Sequence, residues 1–369
     1  MRILIDYRPA LVERTGVGEY AHEMAQALLS VLSSDDKLTL FSSSWKHRLE
    51  PGRVPGAAIV DTRIPVRILN LAWHRFERPV VETLAGPVDV AHSMHPLLMP
   101  ARAAAQLVTI YDLFFLHDSA GTASEIRRDY PTLSAIHARR ADAVVVISEY
   151  TAREAISKLG VAPERIVLCP PGAPSWSPRA GTHSSGPILY IGSFERRKNV
   201  PGLLRAYARL RSRLPDAPEL VMAGRPPDSG SEILETISRS PLKPYVRHLG
   251  YVTDEDRQRL YRSASMLVVP SLDEGFGMPV VEAMTIGVPV VAANRGALPE
   301  VSGDAAQLVD PLDDEGMAEA MLRILEEPAV AQASVERGFR RARRYSWRAS
   351  AETLLQAYRQ VHERRRTRA

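Results

Sequence analysis

The sequence predicts an α/β protein made of two doubly wound, Rossmann-like domains that face each other across a cleft. Short apolar strands alternate with helical stretches along the chain, which is typical of a parallel sheet with helices on both faces. The length of 369 residues exceeds what one small hydrophobic core accommodates. Residues 170–187, which are rich in turn-forming residues and lack periodic hydrophobicity, interrupt the alternation at mid-chain.

Each half of the chain shows the same alternation. In the first half we predict strands at residues 2–5, 38–41, 88–91, 106–110, 143–147 and 166–169, with helices near residues 18–32 and 150–158, the second capped by Ser148. In the second half we predict strands at residues 188–191, 220–223, 246–249, 266–269 and 288–292. The expected organisation is an N-terminal domain over residues 1–172, a linker over 173–187, a C-terminal domain over 188–346 and a C-terminal helix within 347–369.

The segment from Glu274 to Glu282 lies between two of these strands. Pro279 is typical of the first turn of a helix, so the segment predicts a loop followed by a short helix. Carboxylates accept hydrogen bonds from paired sugar hydroxyls well, and seven residues separate these two. Gly275 and Gly277 let backbone amides approach a ligand beside the helix N-terminus, where anions bind. The segment therefore predicts a sugar-nucleotide site.

A pair of cations follows the predicted strand at residues 188–191. Arg197 and Lys198 precede another predicted helix, and ligands of doubly wound sheets bind beyond the carboxyl ends of the strands. The guanidinium fork and the ammonium point charge are both suited to a diphosphate. We therefore predict that these two side chains clamp a diphosphate.

Together these segments resemble retaining glycosyltransferases of the GT-B fold, namely the Glu-x7-Glu enzymes of family 4, group 1. Within that family the resemblance is to a bacterial, mannosyltransferase-like branch. The most specific match is Glu-Gly-Phe-Gly-Met-Pro-Val-Val-Glu at residues 274–282, followed by Ala-Met. The resemblance covers nearly the whole chain and includes residues 1–6, 15–20, 92–95, 109–113, 143–148, 170–172, 190–199 and 249–252.

The resemblance implies roles for individual residues. Glu282 would hold the ribose hydroxyls of the donor and Glu274 those of its sugar, while Arg197 and Lys198 would stabilise charge on the departing diphosphate. Arg196 is the alternative second cation. The C-terminal domain would bind the donor and the N-terminal domain the acceptor, with the last helix crossing back to the first domain. Further binding residues by resemblance are Gly16, Gly18, Gly250, Tyr251, Gly275, Phe276, Gly277, Met278 and Pro279.

One position departs from the family pattern. The family usually has His where this chain has Tyr111, beside Asp112, and that His lies near the donor sugar. We retain Tyr111 and Asp112 as candidate catalytic residues because a phenol also donates or accepts a hydrogen bond. The replacement leaves open a non-catalytic sugar-nucleotide-binding protein, and the fold leaves open another GT-B enzyme such as an epimerase.

The resemblance implies a hexosyltransferase of surface polysaccharide synthesis. Its expected donor is GDP-mannose, with UDP-sugars and dTDP-rhamnose open, and its expected acceptor is a saccharide or polyprenyl-linked saccharide. Besides this co-substrate we expect no cofactor and no metal. The run Asp254-Glu-Asp256 is interpreted as the first turn of a helix capped by Thr253, and His92 and His95 as strand-end polar residues near the acceptor.

The composition of the sequence limits the cellular compartments and the classes of partner that we expect for this protein. No apolar run reaches the roughly 18 residues of a membrane span, no signal-peptide pattern is present, and the single Cys169 is typical of a reducing compartment. These observations predict a cytoplasmic protein, with contact at the inner face of the cell membrane as an alternative. The sequence shows neither zinc-ligand spacing nor an aromatic-basic stacking motif, so we expect no nucleic-acid partner.

Two basic stretches bear on membrane contact. Residues 336–369 hold eleven Arg and three Glu, a net charge of +8 that exceeds the +4 of the whole chain. Residues 63–78 mix Arg with Trp73 and Phe76. We interpret the first as a solvated helix face and the second as a packed surface helix, with binding to anionic lipid as the alternative for both.

Overall fold

The computed structural model describes residues 1–11, 16–116, 124–181, 185–225 and 231–367, without the side chains of residues 124–129 and 231. The chain divides into two compact units: unit 1 comprises Met1–Gly172 and Ser346–Ala369, and unit 2 comprises Ala173–Tyr345. Thr15 of the matched glycine segment and residues 182–184 of the predicted linker lie outside the described residues.

The described part of unit 1 contains one seven-stranded parallel sheet. Its strands are β1 (Arg2–Asp6), β2 (Lys37–Ser43), β3 (Ala58–Thr62), β4 (Val90–Ser93), β5 (Ala105–Ile110), β6 (Ala143–Val146) and β7 (Ile166–Leu168), in the order β3-β2-β1-β4-β5-β6-β7. Its α-helices are α1 (Val17–Leu29), α2 (Val66–Phe76), α3 (Val81–Ala85), α4 (Ser124–Arg140), α5 (Glu149–Leu159) and the last helix of the chain, α13 (Trp347–Arg366).

Unit 2 repeats this architecture with a six-stranded parallel sheet in its described part. Its strands are β8 (Ile188–Ile191), β9 (Leu220–Ala223), β10 (Val246–Gly250), β11 (Met266–Val269), β12 (Val290–Ala293) and β13 (Ala306–Val309), in the order β10-β9-β8-β11-β12-β13. Its α-helices are α6 (Val200–Arg213), α7 (Ser231–Arg239), α8 (Asp254–Ser263), α9 (Met278–Ile286), α10 (Leu298–Ser302), α11 (Asp314–Glu326) and α12 (Pro328–Ala342).

The central strands of both sheets are apolar because helices cover both of their faces. In unit 2, Leu189 of β8 and Leu267 of β11 are fully buried and pair directly across the sheet. Full burial of one such side chain stabilises the fold by about 1.5–3 kcal/mol. This packing confirms the predicted pair of doubly wound, parallel-sheet domains and fixes the loops that follow the central strands.

The structure also corrects the predicted elements. Strands β3 and β13 were not predicted; both lie at sheet edges, where their half-exposed side chains lack a continuous apolar run. Helix α1 ends at Leu29 rather than near residue 32, and the hydroxyl of Ser30 hydrogen-bonds the carbonyl of Ala27 at 2.7 Å. The two predicted helix caps are confirmed, since Ser148 and Thr253 accept hydrogen bonds from backbone amides of the first turns of α5 and α8.

The last helix, α13, packs within unit 1. The hydroxyl of Tyr358 lies 2.6 Å from Nδ1 of His92, and Ser350 donates to the carbonyl of Pro170 at 2.7 Å. His92 is fully buried, and its other ring nitrogen lies 2.8 Å from the hydroxyl of Thr109. His92 is the next-to-last residue of β4, as the strand-end interpretation predicted, and its buried side chain joins the last helix to the sheet.

Candidate functional site

The strand order of unit 2 reverses between β8 and β11, which are hydrogen-bonded neighbours. The loops that follow these two parallel strands leave the same edge of the sheet side by side, in the position where doubly wound folds bind ligands. The amide of Leu272 in the second loop donates to the carbonyl of Arg197 in the first at 2.7 Å. The cationic segment and the Glu274 segment therefore lie together.

Asn199 holds these loops in place. Its backbone has φ +53°, a left-handed conformation that Asn tolerates better than most residues. Its buried side-chain amide donates to the carbonyls of Pro270 at 3.1 Å and Pro311 at 2.8 Å. One side chain thus connects the start of α6 to the segments that follow β11 and β13.

Glu274 is the centre of a buried charge cluster. Lys198 and the hydroxyl of Ser271, at 2.9 Å, both hydrogen-bond Oε1, and Nη1 of Arg197 lies 3.2 Å from Oε2. Nε of Arg197 also donates to Glu195 at 2.8 Å. The side chain of Glu274 is 8% exposed, while those of Arg197 and Lys198 are 17% and 15% exposed. The two predicted cations and the predicted carboxylate therefore converge on one point at the rim of the sheet.

The protonation states follow from this arrangement. Burial would raise the pKa of Glu274, but the charges of Lys198 and Arg197 together with hydrogen bonds from Lys198 and Ser271 hold it below its usual value. Burial and the charge of Arg197 lower the pKa of Lys198, and Glu274 offsets them only in part. Lys198 is thus crowded by another cation, and an anion bound beside it would relieve that repulsion.

The backbone of Glu274 is held by the loop after β12. The amide of Ala297 donates to the carbonyl of Glu274 at 2.8 Å. Gly296 has φ +60°, and a Cβ there would lie 2.5 Å from that carbonyl oxygen and 2.6 Å from the amide nitrogen of Glu274. Only glycine permits this close approach.

Glu282 lies in α9 and has its own partners. The hydroxyl of Tyr261 donates to Oε2 at 2.8 Å, and Nη1 of Arg257 lies 3.4 Å from Oε1. The ring of Trp176 contacts both partners, with its centroid 5.8 Å from that of Tyr261 and 5.5 Å from the guanidinium carbon of Arg257. Glu282 is 5% exposed, so its orientation is fixed by these neighbours.

The other predicted residues of unit 2 lie around this rim in different environments. Gly277, with φ +98°, is the N-cap of α9, and Met278 and Pro279 form its first turn. The buried ring of Phe276 packs edge-on against Tyr345, with a centroid distance of 5.3 Å. Because the ring is occupied by this contact, Gly275 and Phe276 can contribute only their backbone atoms to the site. Arg196 is exposed in the short 3-10 helix before α6.

Gly250 and Tyr251 lie at the carboxyl end of β10, two strands from β8. The amide of Gly224 donates to the carbonyl of Gly250 at 2.7 Å. The ring of Tyr251 is 40% exposed and lies 5.3 Å from the guanidinium carbon of Arg225.

In unit 1, the predicted residues follow β1 and β5. Gly16, with φ +50°, is the N-cap of α1, and Gly18 is buried in its first turn. The hydroxyl of Tyr111 donates to the carbonyl of Met94 at 3.2 Å, and its ring packs edge-on against Tyr20 at 5.4 Å. Burial raises the pKa of Tyr111 well above its usual value, so the phenol stays protonated. Asp112 accepts a hydrogen bond from the amide of Phe114 at 3.2 Å.

A further charge cluster lies at the carboxyl ends of β1 and β4. The fully buried carboxylate of Asp6 accepts from Nε of Arg8 at 2.8 Å and lies 2.9 Å from Nε2 of His95. Burial opposes ionisation, yet the charges and hydrogen bonds of Arg8 and His95 hold the pKa of Asp6 well below its usual value. The guanidinium of Arg8 lies 4.7 Å from the ring centroid of Trp73 and donates to Asn70 at 2.9 Å. His95 is therefore part of a cluster with buried partners.

Sequence reasoning missed several residues that shape the site: Trp176, Asn199, Tyr261, Arg257, Ser271 and Gly296. Two of them carried a local signal. Asn199 immediately precedes Val-Pro at a helix start, and Trp176 is an aromatic residue in a segment otherwise made of turn formers. The remaining four show no local pattern, because their importance depends on which loops the fold brings together.

The described residues lack two features that would indicate a metal site or a membrane span. They contain no group of three or more His, Cys, Asp or Glu side chains arranged to hold a metal ion. In the part of the chain that the structure describes, no helix is both long enough and apolar enough to cross a membrane.

Comparison with known proteins gives the class of the chain. A model of glycosyltransferase family 4 matches residues 14–175, and a model of glycosyl transferases group 1 matches residues 186–327. The chain thus belongs to the family 4, group 1 glycosyltransferases, and its two parallel-sheet domains are those of the GT-B fold.

Individual relatives are similar over part of the chain. The O-antigen chain mannosyltransferase B of Escherichia coli is 38% identical over 177 residues, which is 47% of this chain and 45% of that relative. The MMP alpha-(1→4)-mannosyltransferase of Mycolicibacterium hassiacum is 31% identical over 227 residues, 60% of this chain and 54% of the relative. The chain thus matches about half the length of these curated relatives.

The fold matches a solved structure over nearly its full length. A sucrose-phosphate synthase from Thermosynechococcus elongatus superposes with a TM-score of 0.78 at 22% identity, over 98% of each chain. At this identity the match bears on the fold alone.

Proposed function

We propose that this protein is a retaining hexosyltransferase that uses a nucleotide diphosphate sugar, with GDP-mannose as the donor. The observation that carries the proposal is the convergence of Arg197 and Lys198 on Glu274, from loops after two adjacent central strands where the strand order reverses. Both cations can pair with an anionic ligand beyond the strand ends, and the carboxylate of Glu274 can accept hydrogen bonds from a sugar. The mannosyltransferase relatives support mannose as the sugar.

In the proposed reaction the protein contributes charge and orientation. Arg197 and Lys198 stabilise the negative charge that accumulates on the departing diphosphate, which is an interaction stronger in the transition state than in the ground state. When a diphosphate takes up these cations, the carboxylate of Glu274 becomes available to the donor-sugar hydroxyls. Glu282 holds the ribose hydroxyls, and Gly16 and Gly18 bind on the donor phosphates or the acceptor. No metal or cofactor takes part in this scheme.

The nucleotide is tested by thermal shift. We would measure the melting temperature with GDP, UDP, ADP and dTDP and with their sugars, because a ligand that binds only the native state raises it. GDP and GDP-mannose are expected to give the largest shifts. A larger shift with a uridine or thymidine diphosphate would overturn the GDP-mannose assignment, and no shift with any of them would overturn the function.

Transfer is tested with GDP-[14C]mannose and a mannose-terminated saccharide. Lys198→Met and Glu274→Gln are each expected to lower kcat/KM more than tenfold, which corresponds to a loss of more than about 1.4 kcal/mol of transition-state stabilisation. The anomeric proton of the product should show the α configuration of the donor. An inverted product would refute retention, and full activity in both variants would refute the site assignment.

Tyr111 favours a second candidate, a protein that binds a sugar nucleotide without transferring the sugar. Its hydroxyl is bonded to the carbonyl of Met94, at the position where the family usually has His. Nucleotide binding without transfer in the wild type, with transfer gained in Tyr111→His, would favour this candidate. Conversion of labelled donor without any acceptor would instead indicate an epimerase.

We also propose that the acceptor is a saccharide or polyprenyl-linked saccharide of surface polysaccharide synthesis, met at the inner face of the cell membrane. Helix α2 supports contact with the membrane. One face of the helix packs against the rest of unit 1 through Leu69 and Trp73. Its other apolar side chains, Ile68, Leu71 and Phe76, are 59%, 63% and 68% exposed. The exposed arginines Arg67, Arg75 and Arg78 lie in or just after the same helix. An amphipathic helix of this composition suits an anionic membrane surface.

Co-sedimentation with phosphatidylglycerol vesicles tests the membrane contact. Leu71→Asp should reduce the bound fraction several-fold, whereas Leu312→Asp, at a leucine that is 70% exposed in unit 2, should not. Equal binding by both variants would refute the role of α2.

A further inference from the structure

The first residues of unit 2 form a structured segment next to the candidate donor site. Residues 173–181 belong to unit 2, and within them Trp176 and Arg179 make specific contacts with α8 and α9. These two helices carry Tyr261, Arg257 and Glu282. The segment therefore packs against the groups that hold Glu282.

Trp176 lies against both partners of Glu282. Its ring centroid is 5.8 Å from that of Tyr261 and 5.5 Å from the guanidinium carbon of Arg257. The hydroxyl of Tyr261 and the guanidinium of Arg257 are in turn the two groups that contact the two carboxylate oxygens of Glu282. Removing the indole would take away a ring contact from both partners of Glu282.

Arg179 joins the ends of the same two helices. Its Nε donates to the carbonyl of Gly287, the C-cap of α9, at 3.1 Å, and its backbone amide donates to the carbonyl of Ile286 at 2.9 Å. Its Nη1 donates to the carbonyl of Ala264, the C-cap of α8, and lies 3.4 Å from the carbonyl of Tyr261. A cation at helix C-termini is favourable because the last carbonyls carry partial negative charge. The side chain is 8% exposed, so these contacts are shielded from solvent.

We propose that Trp176 and Arg179, from the first residues of unit 2, are positioning residues that set the orientation of Glu282 toward the ribose of a nucleoside diphosphate. Trp176 fixes the side chains of Tyr261 and Arg257, and Arg179 fixes the relative placement of α8 and α9. The inference rests on the proposed function of Glu282.

The test compares the Kd of GDP with that of 2′-deoxy-GDP, and of UDP with 2′-deoxy-UDP, by calorimetry. A carboxylate that accepts from the ribose hydroxyls makes the wild type discriminate against the deoxy form, and we expect about tenfold for one lost charge-assisted hydrogen bond. Glu282→Gln should reduce this ratio to below about threefold. Trp176→Leu and Arg179→Met should reduce it similarly, while Trp176→Phe, which keeps an aromatic ring, should retain most of it.

The ratio of the two Kd values separates a positioning role from general destabilisation of the protein. Destabilisation weakens the binding of both nucleotides equally and leaves the ratio unchanged. Tyr245→Leu is the matched control, because Tyr245 is an aromatic side chain of unit 2 that also stacks with an arginine, Arg211 at 3.3 Å. It should keep the wild-type ratio whatever its melting temperature. If Trp176→Leu does not fold, Arg179→Met, which leaves the Trp176 ring in place, carries the test of positioning.

Two failures are distinguishable. A wild-type ratio near one, or an unchanged ratio in Glu282→Gln, would overturn the role of Glu282 and with it this inference. A reduced ratio in Glu282→Gln together with a wild-type ratio in folded Trp176→Leu and Arg179→Met would overturn the positioning role alone.

Discussion

Replacing Lys198 by Met removes one of the two cations that hold the buried carboxylate of Glu274. Breaking a buried ion pair from one side costs about 3–5 kcal/mol, because the remaining charge stays buried without its partner. In this cluster Arg197 and Ser271 still contact the carboxylate. We therefore expect the variant to lose about 2–3 kcal/mol of unfolding free energy at pH 7, at or just below the lower end of that range.

The matched control is Lys158→Met. Lys158 pairs with Glu154 one helical turn away, and their side chains are 28% and 15% exposed. Pairs of this kind on a helix surface contribute about 0.3–0.5 kcal/mol. Urea denaturation of both variants, followed by circular dichroism, gives the comparison. A loss in Lys198→Met no larger than that of Lys158→Met would refute the account of the buried cluster.

The pH dependence gives an independent check. The folded-state pKa of Glu274 lies below its usual value, so its ionised, paired form stabilises the protein above the unfolded pKa, near 4.3 for Glu. That contribution disappears as the pH falls through the folded pKa. A protonated Glu274 needs no cation, so the difference between wild type and Lys198→Met should narrow below about pH 4. Double replacement with Glu274→Gln should recover part of the loss. A difference that stays constant from pH 7 to pH 3.5 would contradict the reasoning.

Three further predictions concern Gly296, Cys169 and the proposed independence of metal ions. Gly296→Ala should lower the free energy of unfolding by about 1–3 kcal/mol and the rate of transfer by more than tenfold, because a Cβ there would displace the backbone of Glu274. Urea denaturation measures the first effect and the transfer assay the second. Wild-type activity in this variant would contradict the role of Gly296 in placing Glu274. Burial raises the pKa of the Cys169 thiol to about 12, so Ellman's reagent at pH 8 should react with it only on unfolding, and rapid labelling of the native protein would contradict its burial. Transfer should survive 10 mM EDTA unchanged, whereas activity lost to EDTA and restored by Mg²⁺ would refute the metal-independent scheme.

The sequence by itself determined the features that depend on neighbouring residues. Apolar runs such as residues 266–269 predicted the central strands, because a strand buried on both faces needs an apolar side chain at each position. Ser148 and Thr253 predicted helix starts, because their side chains bond amides only three residues away. The positions of Glu274, Arg197 and Lys198 directly after strands predicted the rim of the sheet as their location.

Only the tertiary structure decided which of these groups meet. Lys198 and Glu274 lie together because β8 and β11 are neighbours, an order that no local pattern encodes. Trp176, Tyr261 and Glu282 are distant in sequence, and their contacts depend on how α8, α9 and the first residues of unit 2 pack. The edge strands β3 and β13 were missed for the same reason, since their hydrogen bonds to β2 and β12, rather than a continuous apolar run, define them. Local sequence specifies burial and turns, whereas contacts between distant segments depend on the packing of the whole domain.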